Sequence, residues 1–242
     1  MKKKRVLSII AVLMLVAMTF GGCGQKSDLS MAPEVEAYAE ALDMEYAYDL
    51  AYELGYNMEY ADNELGWRTS GSDAEHKTAD FLADEMKAIG LVDVEKVGTP
   101  VDKFQFNDSS LTIEGTDIDL MPAAYQVEGT DADGITAEIV DAGTGAEYDY
   151  AEMDSVEGKI VLVQVDQANV SWIDGYIRCA KEQGAAALVT YANSGYGEVN
   201  NDSINVQDIC CDDLLPTVAI SYNQAKEIKK AIKAGNNQAT LM

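Results

Sequence analysis

Histidine, the residue that most often carries zinc or proton-transfer chemistry, occurs once in the 242 residues, as His76. A co-catalytic zinc site needs several histidine and carboxylate ligands, and the sequence contains no His-Glu-x-x-His motif. A Ser-His-Asp triad has only His76 to use, and no Gly-x-Ser-x-Gly elbow is present. Because His76 lies between Glu75 and Lys77 at the start of a polar helix, a solvated surface histidine is favoured. We therefore predict no catalytic residue and no metal ligand in this chain.

Three short loops resemble ligand sites without the full pattern. Gly143–Gly145 follows a predicted strand, but no helix is predicted to begin there, so a turn is favoured over a phosphate-binding loop. Asp131–Gly134 resembles part of a calcium loop, yet Val140 stands where the closing glutamate is required, which favours a tight turn. The acidic loop 202–213 offers carboxylates to calcium, although a solvated loop is the favoured interpretation.

The N-terminus has the pattern of an export signal. Lys2–Arg5 is basic, and Val6–Phe20 is apolar apart from one serine and one threonine. Fifteen residues are too few for a permanent membrane span, whereas a basic start and an apolar run are typical of a signal peptide. Gly21-Gly22-Cys23 resembles a bacterial lipobox, with Phe20 where leucine is usual. An ordinary signal peptide cut near residue 22 is the alternative.

We predict that residues 1–22 are a lipoprotein signal peptide and that Cys23 is the lipidation site. Residues 23–33 are short, polar and rich in small side chains, which suits a tether. The protein is then exported and lipid-anchored to the outer face of the cytoplasmic membrane, at the cell surface. The membrane is its partner through this anchor. The remaining thiols, Cys179, Cys210 and Cys211, fit no Cys-x-x-Cys site, so buried or idle cysteines are favoured.

The chain is strongly acidic. It has 42 Asp and Glu against 17 Lys and Arg, a formal net charge of −25. Removal of the leader takes away four bases and leaves −25 − 4 = −29. Such a surface repels phosphate backbones and anionic lipid. We therefore predict no nucleic-acid partner.

The first third of the mature chain has helical periodicity. Pro33 opens a predicted helical stretch to about Tyr60, with one apolar face and many tyrosines that favour packing over ligand stacking. Ser72 and Glu75 form a predicted capping box. The helix that follows is predicted to end at Gly90 in a left-handed cap.

The rest of the chain alternates strand and helix patterns. Between residues 91 and 138, short runs of alternating polarity predict strands, including Val92/Val94, Phe104/Phe106 and Ile135/Ala137/Ile139. Later segments predict buried strands and two helices, the second with a capping box at Ser221 and Gln224; their ranges are 158–165 (strand), 172–183 (helix), 185–191 (strand), 215–220 (strand) and 222–235 (helix). The strand–helix–strand unit implies two parallel strands. Ala239–Met242 has the pattern of a strand that has just begun.

Several segments together resemble a known family. Gly158-Lys159-Ile160-Val161-Leu162-Val163, a later Ala180…Gly184-Ala185-Ala186-Ala187-Leu188-Val189 and Leu215-Pro216-Thr217-Val218-Ala219-Ile220-Ser221 resemble a protease-associated (PA) domain. Upstream, Arg68-Thr69-Ser70-Gly71-Ser72-Asp73-Ala74-Glu75, with Gly90–Val94, resembles the N-terminal region of bacterial zinc aminopeptidases of the transferrin-receptor-like, co-catalytic type. A PA domain is inserted near the start of the peptidase domain in that family, and both elements occur here in that order.

The resemblance implies a fold and a domain division. The fold class is α/β: a PA domain, with a mixed sheet or barrel-like core and flanking helices, preceded by N-terminal helices of an incomplete peptidase domain. Residues 34–103 are assigned to the peptidase segment and residues 104–242 to the PA domain. The helices of residues 34–90, called the front helices below, would then lack part of the core that they pack against. We therefore expect these apolar side chains to be partly exposed: Leu42, Leu50, Leu54, Leu82 and Met86.

The resemblance also implies a function and a departure from the family. Two zinc ions in that family are bound C-terminal to the PA insertion, so no zinc ligand or catalytic glutamate can be placed on this chain. We predict the N-terminal and PA-domain portion of an exported zinc aminopeptidase. This portion would serve as a lid or as the part that meets a peptide or protein substrate. The alternative is a freestanding PA-domain lipoprotein that binds peptides or proteins without catalysis.

Overall fold

The computed structural model describes residues 32–63, 65–166, 172–192, 194–195, 200–206 and 215–242. Cys23, the predicted signal peptide, most of the tether and the greater part of the acidic loop 202–213 lie outside these residues. The chain divides into two compact units, Met1–Glu53 and Leu54–Met242. None of the helices in the described part is long and apolar enough to cross a membrane.

The predicted helical stretch is confirmed but is interrupted once. Helix α1 spans Pro33–Ala41 and helix α2 spans Met44–Tyr56, followed by a 3₁₀ turn at Met58–Tyr60. The interruption arises because Leu42 has extended backbone angles, and Asp43 then caps α2 by accepting a hydrogen bond from the Tyr46 amide at 2.9 Å.

The side chains of α1 and of α2 up to residue 53 are not packed into a core. Neither helix has a buried residue. Large apolar side chains remain exposed along them: Val35, Tyr38, Leu42, Met44, Tyr46, Tyr48 and Tyr52. The predicted partial exposure is confirmed for Leu42, at 46%, and Leu50 is half-buried. These helices therefore carry large apolar side chains that are exposed to solvent.

Helix α3, Asp73–Ala88, has the predicted ends. Ser72 Oγ accepts from the Glu75 amide at 3.0 Å. The predicted return bond from the Glu75 side chain is wrong, because the Ser72 amide already donates to the Thr69 carbonyl at 3.1 Å. Gly90 has φ +94° and ends the helix as predicted. On this helix Met86 is 43% exposed and Leu82 is half-buried, as is Leu54 at the end of α2, so partial exposure is confirmed for all three.

No helix or strand occurs between residues 91 and 110. The predicted strands at Val92/Val94 and Phe104/Phe106 are therefore wrong. A strand requires a hydrogen-bonded neighbour, and the described residues supply none for this segment. Val92 and Val97 are 83% and 81% exposed.

One mixed sheet of seven strands organises the remainder, in the order β2-β1-β7-β3-β4-β5-β6. The strands are β1 Leu111–Ile113, β2 Asp119–Leu120, β3 Ile135–Asp141, β4 Ile160–Val165, β5 Ala187–Ala192, β6 Thr217–Ile220 and β7 Gln238–Leu241. The predicted parallel pairing of β4 with β5 is confirmed, with Ile160 opposite Ala187. The run β3 to β6 is parallel throughout.

Strand β7 lies inside the sheet. β7 lies between β1 and β3 and is antiparallel to both, with Ala239 opposite Ile113 on one side and Ala137 on the other. Its side chains Ala239 and Leu241 are 1% exposed. The predicted strand at Ala239–Met242 is therefore confirmed, whereas its place at the centre of the sheet was not predicted.

Helices cover both faces of the parallel half of the sheet. Helix α5, Ile173–Glu182, packs Ile173, Ile177 and Ala180 on one face, as predicted. Helix α6, Tyr222–Lys233, begins with the predicted capping box at Ser221 and Gln224 and packs on the opposite face. The two buried clusters give this region a closed hydrophobic core.

A short helix, α4, was not predicted. It spans Glu147–Ala151, directly after the turn at Gly143–Gly145. The Asp149 carboxylate accepts hydrogen bonds from the Thr144 amide at 2.9 Å and from the Thr144 hydroxyl at 2.5 Å. The Asp149 side chain thus stabilises the turn, which is present as predicted. The prediction that no helix begins here is wrong, because α4 starts two residues after the turn.

Candidate functional site

Arg68, the first residue of the aminopeptidase-like motif, holds main-chain carbonyls. Its Nε donates to the Tyr60 carbonyl at 3.2 Å, and its Nη2 donates to the Leu54 carbonyl. Leu54 lies in the last turn of α2, where carbonyls have no partner within the helix. Arg68 therefore ends this helix and fixes the turn that follows it.

Thr69, the next residue of the motif, binds the carboxylate of Asp62. The Thr69 amide donates to Asp62 Oδ2 at 3.0 Å, and its hydroxyl donates to the same oxygen. The hydroxyl oxygen is also 3.1 Å from the Phe104 carbonyl. Burial alone would raise the pKa of Asp62, but the hydrogen bonds from Thr69 and Ser72 outweigh it and hold this pKa below 3.8. The carboxylate is thus kept ionised as a structural acceptor.

His76 lies at the surface. Its side chain is 71% exposed and is 3.5 Å from the Glu75 carboxylate. The motif residues Arg68, Thr69 and Ser72 meet in one turn, but their polar atoms face main-chain groups and Asp62. The geometry gives this cluster a role in folding and leaves His76 outside it.

The zinc ions implied by the family resemblance do not fit the residues present. Over the described ranges, no group of three or more His, Cys, Asp or Glu side chains is arranged to hold a metal ion. The calcium-like sequence Asp131–Gly134 is a tight turn, as predicted: the Gly134 amide donates to the Asp131 carbonyl at 2.9 Å, and Gly134 has φ +66°. In the acidic loop, Asp202 accepts from the Asn223 amide group at 2.7 Å.

A polar network crosses the carboxyl ends of β3, β4 and β5. Lys229, on α6, is 3.0 Å from Asp141 Oδ2 at the end of β3. Its ammonium group also lies 5.1 Å from the centre of the Tyr191 ring. The Tyr191 hydroxyl donates to Gln164 Oε1 at 3.2 Å. These contacts link helix α6 to three strands.

This network shifts two pKa values. Burial would lower the pKa of Lys229, but hydrogen bonds to Tyr191 and Asp141 outweigh it and hold the pKa above 10.5. Burial raises the pKa of Tyr191, and Lys229 offsets part of that rise. At neutral pH the lysine is charged and the phenol is protonated. Sequence reasoning missed this network, because its side chains come from segments that are distant in the chain.

Cys179 is a free, half-buried thiol on α5. Burial raises its pKa, and Glu147 and Glu182 raise it further. A thiol in this setting stays protonated and is a poor nucleophile. Nearby, burial raises the pKa of Tyr150, whose hydroxyl has no partner among the described residues. Cys23, Cys210 and Cys211 lie outside those residues.

A groove of about 500 Å³ runs beside β6. Its apolar lining consists mainly of Phe104, Phe106, Ala124, Val127, Val218 and Leu241. Charged side chains line it as well: Lys103, Asp108, Glu128 and Asp131. Its volume falls within the range of about 300–1,000 Å³ that is common for ligand sites. Sequence reasoning did not find this groove, because it forms between segments that are distant in the chain.

Comparison with protein families identifies a PA domain, matched over residues 135–228. This range contains the four parallel strands, helix α5 and the first half of helix α6. The chain therefore contains a PA domain, as the resemblance implied, and the predicted α/β fold class is confirmed. A comparison with curated protein sequences finds no match.

Solved structures with a similar fold include peptidases. A zinc aminopeptidase from Bacillus subtilis is 23% identical, with a TM-score of 0.56, over 81% of this chain and 42% of that structure. A peptidase M28 precursor from Shewanella amazonensis is 20% identical, with a TM-score of 0.56, over 81% of this chain and 49% of that structure. The chain thus spans less than half the length of these structures, and at such identities the similarity shows the fold.

Proposed function

We propose that this chain is the N-terminal and PA-domain portion of an exported, zinc-dependent aminopeptidase. In this proposal, the parent enzyme removes N-terminal residues from peptides through water activated by two zinc ions. The zinc ligands belong to a further segment of the parent. The portion described here serves as a lid or as the part that meets a peptide or protein substrate.

The observation that carries the proposal is the contrast between two kinds of apolar surface. The PA region, meaning the seven-stranded sheet with helices α4, α5 and α6, has closed cores. Residues such as Ile177 and Leu162 are fully buried in them. By contrast, helices α1 and α2 bury no side chain, and the segment after α3 exposes Ile89, Leu91, Val92, Val97 and Val101. Apolar surface of this extent marks an interface or a missing partner. A peptidase core is the partner that the fold similarity supports.

The proposal includes export and anchoring. Lipid on Cys23 would hold the enzyme at the outer face of the cytoplasmic membrane. Fractionation of cells that express Cys23→Ala tests this step. We expect the variant in the medium, or uncleaved, whereas wild type stays with membranes. A variant of mature size that still fractionates with membranes contradicts the lipid anchor.

The alternative is a freestanding lipoprotein whose PA domain binds peptides or proteins without catalysis. The closed core of the PA region favours it, since such a domain needs no further segment to be stable. Sequencing of the gene beyond codon 242 separates the two proposals. The aminopeptidase proposal requires an open frame that encodes His-x-Asp and later Glu, Asp and His. A stop codon at that point supports the freestanding binder.

A further inference from the structure

The outer edge of β6 is only partly used by the protein. In the parallel pairing with β5, Leu188 makes the bonds: its amide donates to the Pro216 carbonyl at 2.9 Å. In a parallel ladder the N–H and C=O of the opposite residue, Thr217, then point away from β5. The next outward-pointing residue, Ala219, is paired with Ala123, in both directions, at 2.9 and 2.7 Å. Ala219 therefore uses its outward main-chain groups, whereas Thr217 is 3% exposed and can be reached only from within the groove that it lines.

The pairing along this edge stops after one residue pair. Ala123 and Ala219 form an isolated bridge. Continued antiparallel pairing would place Tyr125 opposite Thr217. Instead, Tyr125 packs against two aromatic rings: its ring centre is 5.4 Å from that of Trp67 and 5.5 Å from that of Phe104. The next residue, Gln126, has φ +53°. The chain leaves the edge here, and Thr217 has no main-chain bond to another described residue on that side.

The groove lies where the pairing stops. Pro216, Thr217 and Val218 contribute to its wall. Its apolar lining includes Ala124 at 8% and Val218 at 6% exposure. Such a lining accepts the alternate side chains of an extended segment, while main-chain groups at the edge accept and donate hydrogen bonds.

The charge around the groove indicates the chemistry of the occupant. Asp108, Glu128 and Asp131 are exposed carboxylates on its lining, against the single cation Lys103. The local charge is −3 + 1 = −2, and the whole chain is at −25. A cationic segment is attracted by both, and an acidic segment is repelled.

We propose that this groove binds an extended, positively charged peptide segment that pairs with the outer edge of β6 at Thr217. The proposal rests on the interaction role given above and adds the place, the mode and the charge of the bound segment. Binding of this kind forms no covalent bond.

Fluorescence anisotropy with the purified chain tests the charge of the occupant. The probes are labelled, N-acetylated Lys-Val-Leu-Val-Lys and the matched Glu-Val-Leu-Val-Glu. We expect the lysine peptide to bind at least tenfold more tightly, with affinity that falls as salt rises. Equal binding of the two peptides, or no binding of the lysine peptide, overturns the proposal.

A pair of double variants tests the place. Glu128→Gln with Asp131→Asn removes two carboxylates of the groove; Glu152→Gln with Asp154→Asn removes two exposed carboxylates elsewhere. Two partly solvated charge pairs correspond to a loss of about threefold to tenfold in affinity. We expect this loss for the groove variant and unchanged binding for the control. Equal binding by both variants overturns the groove.

The edge pairing has its own test. Thr217→Pro removes the outward N–H and leaves the Leu188–Pro216 bond in place. Since proline also strains the strand, a lysine peptide N-methylated at the central leucine removes a main-chain donor from the ligand instead. We expect both changes to weaken binding at least fivefold, and an unchanged affinity of the N-methylated peptide contradicts edge pairing. If the peptide affinity is the same for wild type and every groove variant, this inference alone is overturned and the interaction role remains. Failure of all peptides to bind overturns this inference and the freestanding binder, whereas the aminopeptidase proposal depends on the parent enzyme.

Discussion

Lys229 Nζ lies 3.0 Å from Asp141 Oδ2 and joins the last helix to the carboxyl end of β3. The two side chains are 27% and 31% exposed, so solvent screens this ion pair less than it screens pairs on the open surface. The Gly143 amide also donates to Asp141 Oδ1 at 3.2 Å. The pair therefore fixes helix, strand and the following turn relative to one another.

Removal of this lysine should destabilise the PA region. Lys229→Met keeps the length and packing of the side chain but leaves Asp141 without its cation. We expect a loss of about 1–3 kcal/mol in the free energy of unfolding. The control is Lys230→Met, because the Lys230 side chain is 81% exposed. Urea denaturation measures both, and equal stability of the two variants contradicts the structural role of the pair.

The same pair predicts a dependence on alkaline pH. The folded pKa of Lys229 is raised above 10.5. A raised pKa means that its stabilisation is fully present below 10.5 and is lost as pH rises through the folded value. The stability difference between wild type and Lys229→Met should therefore be constant from pH 6 to about pH 10 and shrink above it. A difference that already disappears at neutral pH is incompatible with this assignment.

Thr69 should stabilise the turn that contains Arg68, Thr69 and Ser72. It is 3% exposed and donates to Asp62 by both amide and hydroxyl. Thr69→Val removes the hydroxyl at nearly constant volume and should cost about 1–2 kcal/mol in the free energy of unfolding. Ser70→Ala, on the exposed neighbouring residue, is the control and should be near neutral. Thermal unfolding followed by circular dichroism distinguishes the two, and a neutral Thr69→Val argues against the proposed turn.

The sequence predicted the strands β4 and β5 well because each is a continuous apolar run that only a buried sheet can accommodate. It also predicted a strand at Ala239–Met242, but not its place at the centre of the sheet. That place depends on neighbours far along the chain, such as Thr136, whose hydroxyl is 2.9 Å from that of Thr240. The strand predicted at Val92/Val94 is absent. Its alternating polarity is typical of a strand, but no neighbouring strand among the described residues pairs with it.

The candidate sites were less predictable than the fold. His76 was correctly placed at the surface because its local sequence decides its exposure. The Lys229–Tyr191 network and the groove at Thr217 arise from side chains and edges that meet only after folding. Local sequence patterns do not predict contacts between residues that are distant in the chain. The family motifs, by contrast, indicated the PA domain.

Two isoleucines compare the closed and the open parts of the chain. Ile177 is fully buried on α5, and Ile89 is 61% exposed at the end of α3. Ile177→Ala should cost about 2–5 kcal/mol, and Ile89→Ala should change stability by less than about 0.5 kcal/mol. Denaturant titration of both variants of the chain is the measurement. A comparable loss for Ile89→Ala indicates that α3 is already packed in a complete domain.

Hydrogen exchange should show the same contrast along the backbone. Strands β4 and β5 are buried on both faces, whereas residues 34–90 expose much of their apolar surface. We expect slow exchange in the strands and much weaker protection in residues 34–90. Uniformly strong protection of both regions would mean that the front helices already form a complete domain.

We propose above that this chain is part of a longer zinc aminopeptidase, and the native polypeptide provides the decisive test. An antibody raised against the PA region isolates that polypeptide from the membranes of the source cells, and its length, zinc content and hydrolysis of an aminoacyl-p-nitroanilide are measured. Since the chain covers 42% and 49% of two similar structures, we expect a polypeptide about twice as long. We also expect bound zinc and turnover that a chelator abolishes, and we expect neither for the purified 242-residue chain. A native polypeptide that ends at Met242, or zinc-dependent turnover by the chain alone, contradicts the claim.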